Sequence, residues 1–182
     1  MSVDFKRLEY SENLSQVMLT RDLYSGVDEA KTYIYGLERE SVESVNKRKD
    51  NATLKNFVKR ATEAFVGMIF RKSVEISGYS DKIVDITKKI DKYRTLDIFS
   101  RQLTTDLIVD GKVYVAVDAE VGGKGLPYAT IYNRTQVINW RYNSDGSYKL
   151  LVIKEYEEIE VDEFQTDTIE QYRVYKDNGD VD

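Results

Sequence analysis

The chain has 182 residues, 41% hydrophobic and 32% charged, with 27 basic against 32 acidic side chains and a net charge of −5. It contains neither cysteine nor histidine, which excludes disulfides, thiolate metal sites, cysteine nucleophiles and any mechanism that uses imidazole as its base. The longest apolar runs, such as residues 107–109 and 113–117, fall far short of the roughly 20 residues a membrane helix needs. The N-terminus is charged from Asp4 onward, so neither membrane insertion nor export is expected.

A chain of this length buries about two thirds of its unfolded surface on folding. One domain is expected, because no Pro-, Gly- or Ser-rich linker divides the sequence and its single proline is Pro127. The lack of cysteine suits a reducing, cytoplasmic setting. Charge is uneven: residues 1–100 hold 18 basic and 16 acidic side chains, whereas 101–182 hold 9 and 16. A protein that grips DNA phosphates presents a basic patch, because counterion release drives that binding. Tight DNA binding is therefore not expected.

In chain order, Leu14, Met18, Arg21 and Ser25, with Val17 and Leu23 beside them, predict a short helix over 14–24, capped at Ser11 or Asn13 and stopped at Gly26. Residues 27–49 read as an irregular connection anchored by Tyr33, Ile34, Tyr35 and Leu37. The strongest helical signal spans 50–70: Leu54, Phe57, Val58, Ala61, Phe65, Met68 and Ile69 recur at spacings of three and four. Asp50 or Asn51 would cap that helix, and Lys55, Lys59, Arg60 and Glu63 would form its solvated face. Residues 82–93 give a weaker helix through Ile83, Ile86 and Ile90. A further helix over 96–110 carries Leu96, Phe99, Leu103, Leu107 and Ile108, with Thr95 as N-cap and Gly111 just past its end.

After Gly111 the period changes from 3.6 to 2. Strands are expected at 113–117, 128–132, 137–142, 148–158 and 169–176, with a glycine loop at Gly122, Gly123 and Gly125 and a turn at Asn143, Ser144, Asp145 and Gly146. The fold class is α+β, with N-terminal helices followed by an antiparallel sheet. Residues 1–110 would be the helical part and 111–182 the β part of one domain. A turn signal at Asp177, Asn178, Gly179 and Asp180 with only Val181 and Asp182 after it suggests the N-terminal piece of a longer protein.

Little in this sequence carries chemistry. The run Gly122, Gly123, Lys124, Gly125 lacks the spacer and the Gly-Lys-Ser/Thr ending of a phosphate loop. Eight acids lie between Glu155 and Glu170 with no basic residue among them. They match no calcium-loop spacing and read as a solvated face of like charge. Fourteen tyrosines suit core or subunit packing. No catalytic residue, metal ligand or cofactor is expected.

A specific order of motifs is more informative. Arg21-Asp22-Leu23 is followed by Gly26, by Ala30 to Ile34, by Gly67-Met68-Ile69-Phe70-Arg71-Lys72, by the strand from Gly111 to Asp118, and by Ile131-Tyr132 leading into Val137-Ile138-Asn139-Trp140-Arg141. The stretch Gln171 to Tyr175 completes the series. Together these resemble a family of portal-like proteins of tailed bacteriophages and prophages over nearly the whole chain, departing in 37–49. The resemblance implies a wing-like α+β region, with stem, clip and crown encoded downstream. It also implies a homo-oligomeric ring, usually of twelve subunits, at one capsid vertex of the virion. Such a ring is assembled in the host cytoplasm, contacts capsid protein, terminase and tail or adaptor proteins, and passes double-stranded DNA without reading its sequence.

Within that resemblance Gly67 would permit close helix packing, Phe70 and Trp140 would anchor helix and strand, and Arg71 and Arg141 would make ion pairs or cap carbonyls, with Asn139 beside them. Head-to-tail rings need two different complementary surfaces. Lys55, Lys59 and Arg60 on the basic helix, and Glu157, Glu158 and Glu160 on the acidic hairpin, are the candidates for these surfaces. Two other classes remain open: a different phage head or tail structural protein, and a metal-dependent phosphoryl-transfer enzyme, since such chemistry can proceed without histidine.

Overall fold

The computed structural model describes residues 2–78, 83, 86, 88–91, 93–119 and 127–177. The helices are α1 (Leu8–Ser25), α2 (Val27–Ala30), α3 (Val42–Asp50), α4 (Phe57–Ile69) and α5 (Leu96–Asp110), with a tight helical turn at Lys31–Tyr33. The strands are β1 (Val113–Asp118), β2 (Tyr128–Asn133), β3 (Val137–Tyr142), β4 (Tyr148–Glu160) and β5 (Thr166–Lys176). They form two antiparallel sheets, β1-β2 and β3-β4-β5, so the fold is mixed α+β. The chain divides into two compact units, Met1–Ser15 with Tyr132–Asp182, and Gln16–Ile131. The change from helix to strand at 110–111 thus lies inside the second unit.

In the first unit, β4 is the central strand and supplies the core: Val137 and Ile138 of β3, Val152 and Ile153 of β4, Tyr132 and Trp140 are all buried. The N-terminal segment is fastened along β3. The Arg7 amide donates to the Ile138 carbonyl at 3.0 Å, its guanidinium donates to the Trp140 carbonyl at 2.8 Å and stacks over the Trp140 ring at 4.8 Å, and the Tyr10 hydroxyl donates to Thr135 O at 3.0 Å. This explains why α1 begins six residues before the position its apolar spacing indicates. Ser11 and Asn13, the expected caps, instead lie within the helix and bond back to the carbonyls of Arg7 and Glu9. The β3–β4 turn has its expected chemistry: Gly146 takes φ +87°, and Asn143 N donates to Ser147 O at 2.8 Å.

The second unit is built on Val17, Thr62, Phe70, Phe99, Val109, Tyr114 and Ala129, all buried. Its helices correct three sequence expectations. Residues 27–49 are largely helical, and Tyr35 and Leu37 are exposed rather than packed anchors. α3 escapes a periodicity search because it is polar all round, its apolar residues being Val42 and Val45. It is held by Ser41, whose hydroxyl accepts from Ser44 N at 3.2 Å, and by a forked bond from Arg48 to Glu40 at 2.7 and 2.5 Å.

The helix predicted over 50–70 is the second correction. Asn51 closes α3, bonding Lys47 O through its side chain at 2.7 Å, and α4 starts only after Asn56. That side chain accepts from Lys59 N at 2.8 Å and donates to Leu23 O at 2.6 Å, tying the start of α4 to the end of α1. Replacing Asn56 with alanine removes both bonds and is expected to destabilise the unit by about 1–2 kcal/mol, read as a fall in the urea midpoint at unchanged slope.

The third correction concerns α5, whose ends lie where the sequence puts them. Gly111 takes the left-handed C′ conformation at φ +72°. Phe99 is buried, whereas Leu107 and Ile108 of the expected stripe are exposed and Val109 and Asp110 are buried in their place. Of the weak helix at 82–93, Ile83, Ile86 and Lys88 are helical, and 82, 84, 85, 87 and 92 lie outside the described residues, as do Gly122, Gly123, Lys124 and Gly125 and residues 178–182.

Candidate assembly surfaces

The apolar residues of α4 cover an arc too wide to be buried from one side. At about 100° per residue, Val58, Thr62 and Val66 line one edge of the arc and turn inward, with Thr62 only 3% exposed. Phe57, Ala61, Ala64, Phe65 and Met68 line the other edge, and all are exposed, Phe57 at 68% and Met68 at 64%. The expected core stripe is therefore half core and half surface. Ile69, in the last turn, falls on the inward edge between the directions of Val58 and Thr62 but is exposed at the helix end. Soluble monomers rarely leave such a contiguous apolar row uncovered, and Phe and Met are enriched in interface cores.

Cations bracket this row. Lys55 precedes α4, Arg60 flanks the exposed edge, and Arg71 and Lys72 follow its end. All four are exposed, and none forms an ion pair among the described residues. Lys59 is different: it lies on the far side of the helix, with its ammonium 5.9 Å from the Tyr24 ring centroid.

The second surface is the β4–β5 hairpin. Its paired strands run from Leu150↔Lys176 out to Glu160↔Thr166, and every residue from Tyr156 to Glu170 is exposed. At the tip, Asp162 accepts from the amides of Phe164 and Gln165 at 2.8 and 2.9 Å, leaving the Phe164 ring 89% exposed. The base is pinned. Glu155 receives the Tyr132 hydroxyl at 2.5 Å and Arg173 at 2.8 Å, and Glu170 receives Lys154 at 2.5 Å and the Tyr172 hydroxyl. Burial, and then the bond to Glu155, push the Tyr132 hydroxyl far above its ordinary range and keep it a proton donor. The bond to Glu170 does the same for the Lys154 ammonium.

Two of the eight acids are thus neutralised at the base, and the remainder lie further out along the arm. Alternation along the strands sorts these. Glu158 and Glu160 share a face with Tyr156, whereas Glu157 shares the opposite face with Ile159, Asp167 and Ile169. The three acids singled out from sequence do not form one surface.

The motif residues fall in different units. Gly67 is exposed, and a Cβ built on it meets no atom within 4 Å, so it marks no close helix contact. Phe70 is buried, but Arg71 caps no carbonyl among the described residues; the Phe70 carbonyl is taken instead by Arg101 at 2.7 Å, whose guanidinium also stacks on the Phe70 ring at 5.2 Å. Sequence reading missed Arg101 because its partner lies 31 positions away. Asn139 is half-buried at a register shift in β3, Trp140 is buried, and Arg141 is exposed with no ion pair among the described residues.

Among the described residues no group of three or more acids is placed to hold a metal ion, and no helix is long and apolar enough to cross a membrane. Comparison with protein-family models and with curated proteins returned no match.

Proposed function

We propose that the protein is a structural, non-enzymatic subunit of a portal ring of a tailed bacteriophage, acting at one capsid vertex as the conduit for double-stranded DNA. The observation that carries the assembly role is the coexistence of two unlike exposed surfaces, an apolar helix row bracketed by cations and a hairpin whose outer acids form no ion pair among the described residues. Two unlike complementary surfaces are what a heterologous contact requires, and such contacts close into rings when the rotation permits. The portal assignment itself rests on the ordered motifs from Arg21 to Tyr175. On this reading the ring has about a dozen copies, binds no cofactor, and meets capsid protein, terminase and tail or adaptor proteins through the whole protein. Negative-stain images of the purified protein test it. Annular particles with a central hole are expected, whereas monodisperse small particles without a hole would remove the reading.

A further inference from the structure

The exposed arm and the exposed helix row are complementary in character, carboxylates with isoleucines on one and cations around apolar side chains on the other. We infer that the β4–β5 arm of one copy lies on α4 of the next, through the hairpin face bearing Glu157, Ile159, Asp167 and Ile169 and through the Phe164 tip. This rests on the ring-subunit reading and names the contact that would build the ring.

Three observations converge on it. The arm has no support of its own: a two-stranded hairpin is marginally stable in water, yet here the exposed stretch spans Tyr156 to Glu170 with Val161 and Phe164 uncovered. Only one of its two faces carries both aliphatic side chains and carboxylates. Across that face Ile159 pairs with Asp167 and Glu157 with Ile169, so two isoleucines alternate with two carboxylates. The opposite outer face carries Tyr156, Glu158 and Glu160 against Glu170, Thr168 and Thr166, with no aliphatic side chain.

α4 presents the complement. Phe57, Phe65 and Met68 form an apolar row, and Lys55, Arg60, Arg71 and Lys72 stand around it without ion-pair partners among the described residues. Isoleucines on the row and carboxylates on the bracketing cations satisfy both surfaces at once, and apolar burial with charge complementarity fixes the register. The contact is heterologous, so each copy uses its arm once and its helix once.

The lack of native cysteine makes a direct test available. In the protein carrying Phe164→Cys and Met68→Cys, a short bismaleimide is expected to produce a ladder of dimers, trimers and higher multiples, whereas each single-cysteine protein gives at most a dimer. Charge reversal supplies the second arm of the test. Glu157→Lys with Asp167→Lys, and separately Arg60→Glu with Arg71→Glu, should each weaken self-association by about tenfold or more, and combining all four changes in one chain should restore it. Glu158→Lys with Glu160→Lys, and Lys59→Glu, should leave it unchanged. Urea midpoints equal to that of the parent confirm that these exposed changes leave each chain folded.

If the parent protein assembles but the double-cysteine protein yields no ladder, or only cross-links within one chain, the arm contact is wrong and the ring reading stands. If the charge reversals leave assembly intact, the same conclusion follows. A parent protein that never associates overturns both.

Discussion

Replacing Ile153 with alanine is expected to lower the stability of the β3–β4–β5 unit by about 4 kcal/mol, near the upper part of the range for deleting an aliphatic side chain from a closed core. Ile153 is fully buried at the middle of the central strand, paired with Val137 on β3 and Arg173 on β5. Flanked on both sides, its neighbours have little freedom to collapse into the space. The readout is specific to this unit, because the chain's single tryptophan, Trp140, is buried in it. Urea unfolding followed by tryptophan emission should show the shift. Ile159→Ala, six residues further along the same strand and on the exposed arm, is expected to change stability by no more than about 0.5 kcal/mol. Equal effects at the two positions would mean that the arm is packed in the free chain, contrary to its exposure.

The second large effect is expected at Arg21. Its guanidinium donates to Asp110 at 2.5 Å and lies 3.7 Å from Asp106, and the Asp110 side chain is wholly buried. An acid in the last turn of a helix opposes the helix dipole, and α5 has no basic residue there to offset it. The charge is therefore supplied from α1. Arg21→Ala removes it and should cost about 3 kcal/mol, because the buried carboxylate loses the guanidinium bonded to it at 2.5 Å. Arg21→Met with Asp110→Leu, which removes both charges and keeps the volume, should recover most of that loss. Far-UV circular dichroism during thermal unfolding follows this helical unit. A single mutant as stable as the parent would show that Asp110 is held by its other interactions alone.

Most of the strand architecture was legible in the sequence, because alternation and turn residues act locally. β3 lies where Val137 to Tyr142 predict it, and Gly146 and Gly111 take the backbone conformations their positions require. What the sequence hid depends on contacts distant along the chain. The start of α1 is fixed by the bond from Arg7 to β3, and the end of α4 by Arg101, neither of which leaves a periodic trace. The row on α4 was misread for a related reason: spacing reveals that a helix is apolar over a wide arc but not how much of that arc neighbours cover. Phe57 and Met68 look like core residues in sequence and are surface residues in the structure. Of the candidate surface residues, Arg60 and Glu157 lie where the proposed contact needs them, while Lys59, Glu158 and Glu160 face elsewhere. Helix and strand geometry make that distinction, and composition alone does not.

A closed ring has one fixed native mass, which multi-angle light scattering across a range of concentrations reads out. A discrete assembly of roughly a dozen copies, constant in mass as concentration rises, is predicted for a closed heterologous ring. A mass that stays at one copy at the highest concentration, or that grows without limit as an open filament would, contradicts it.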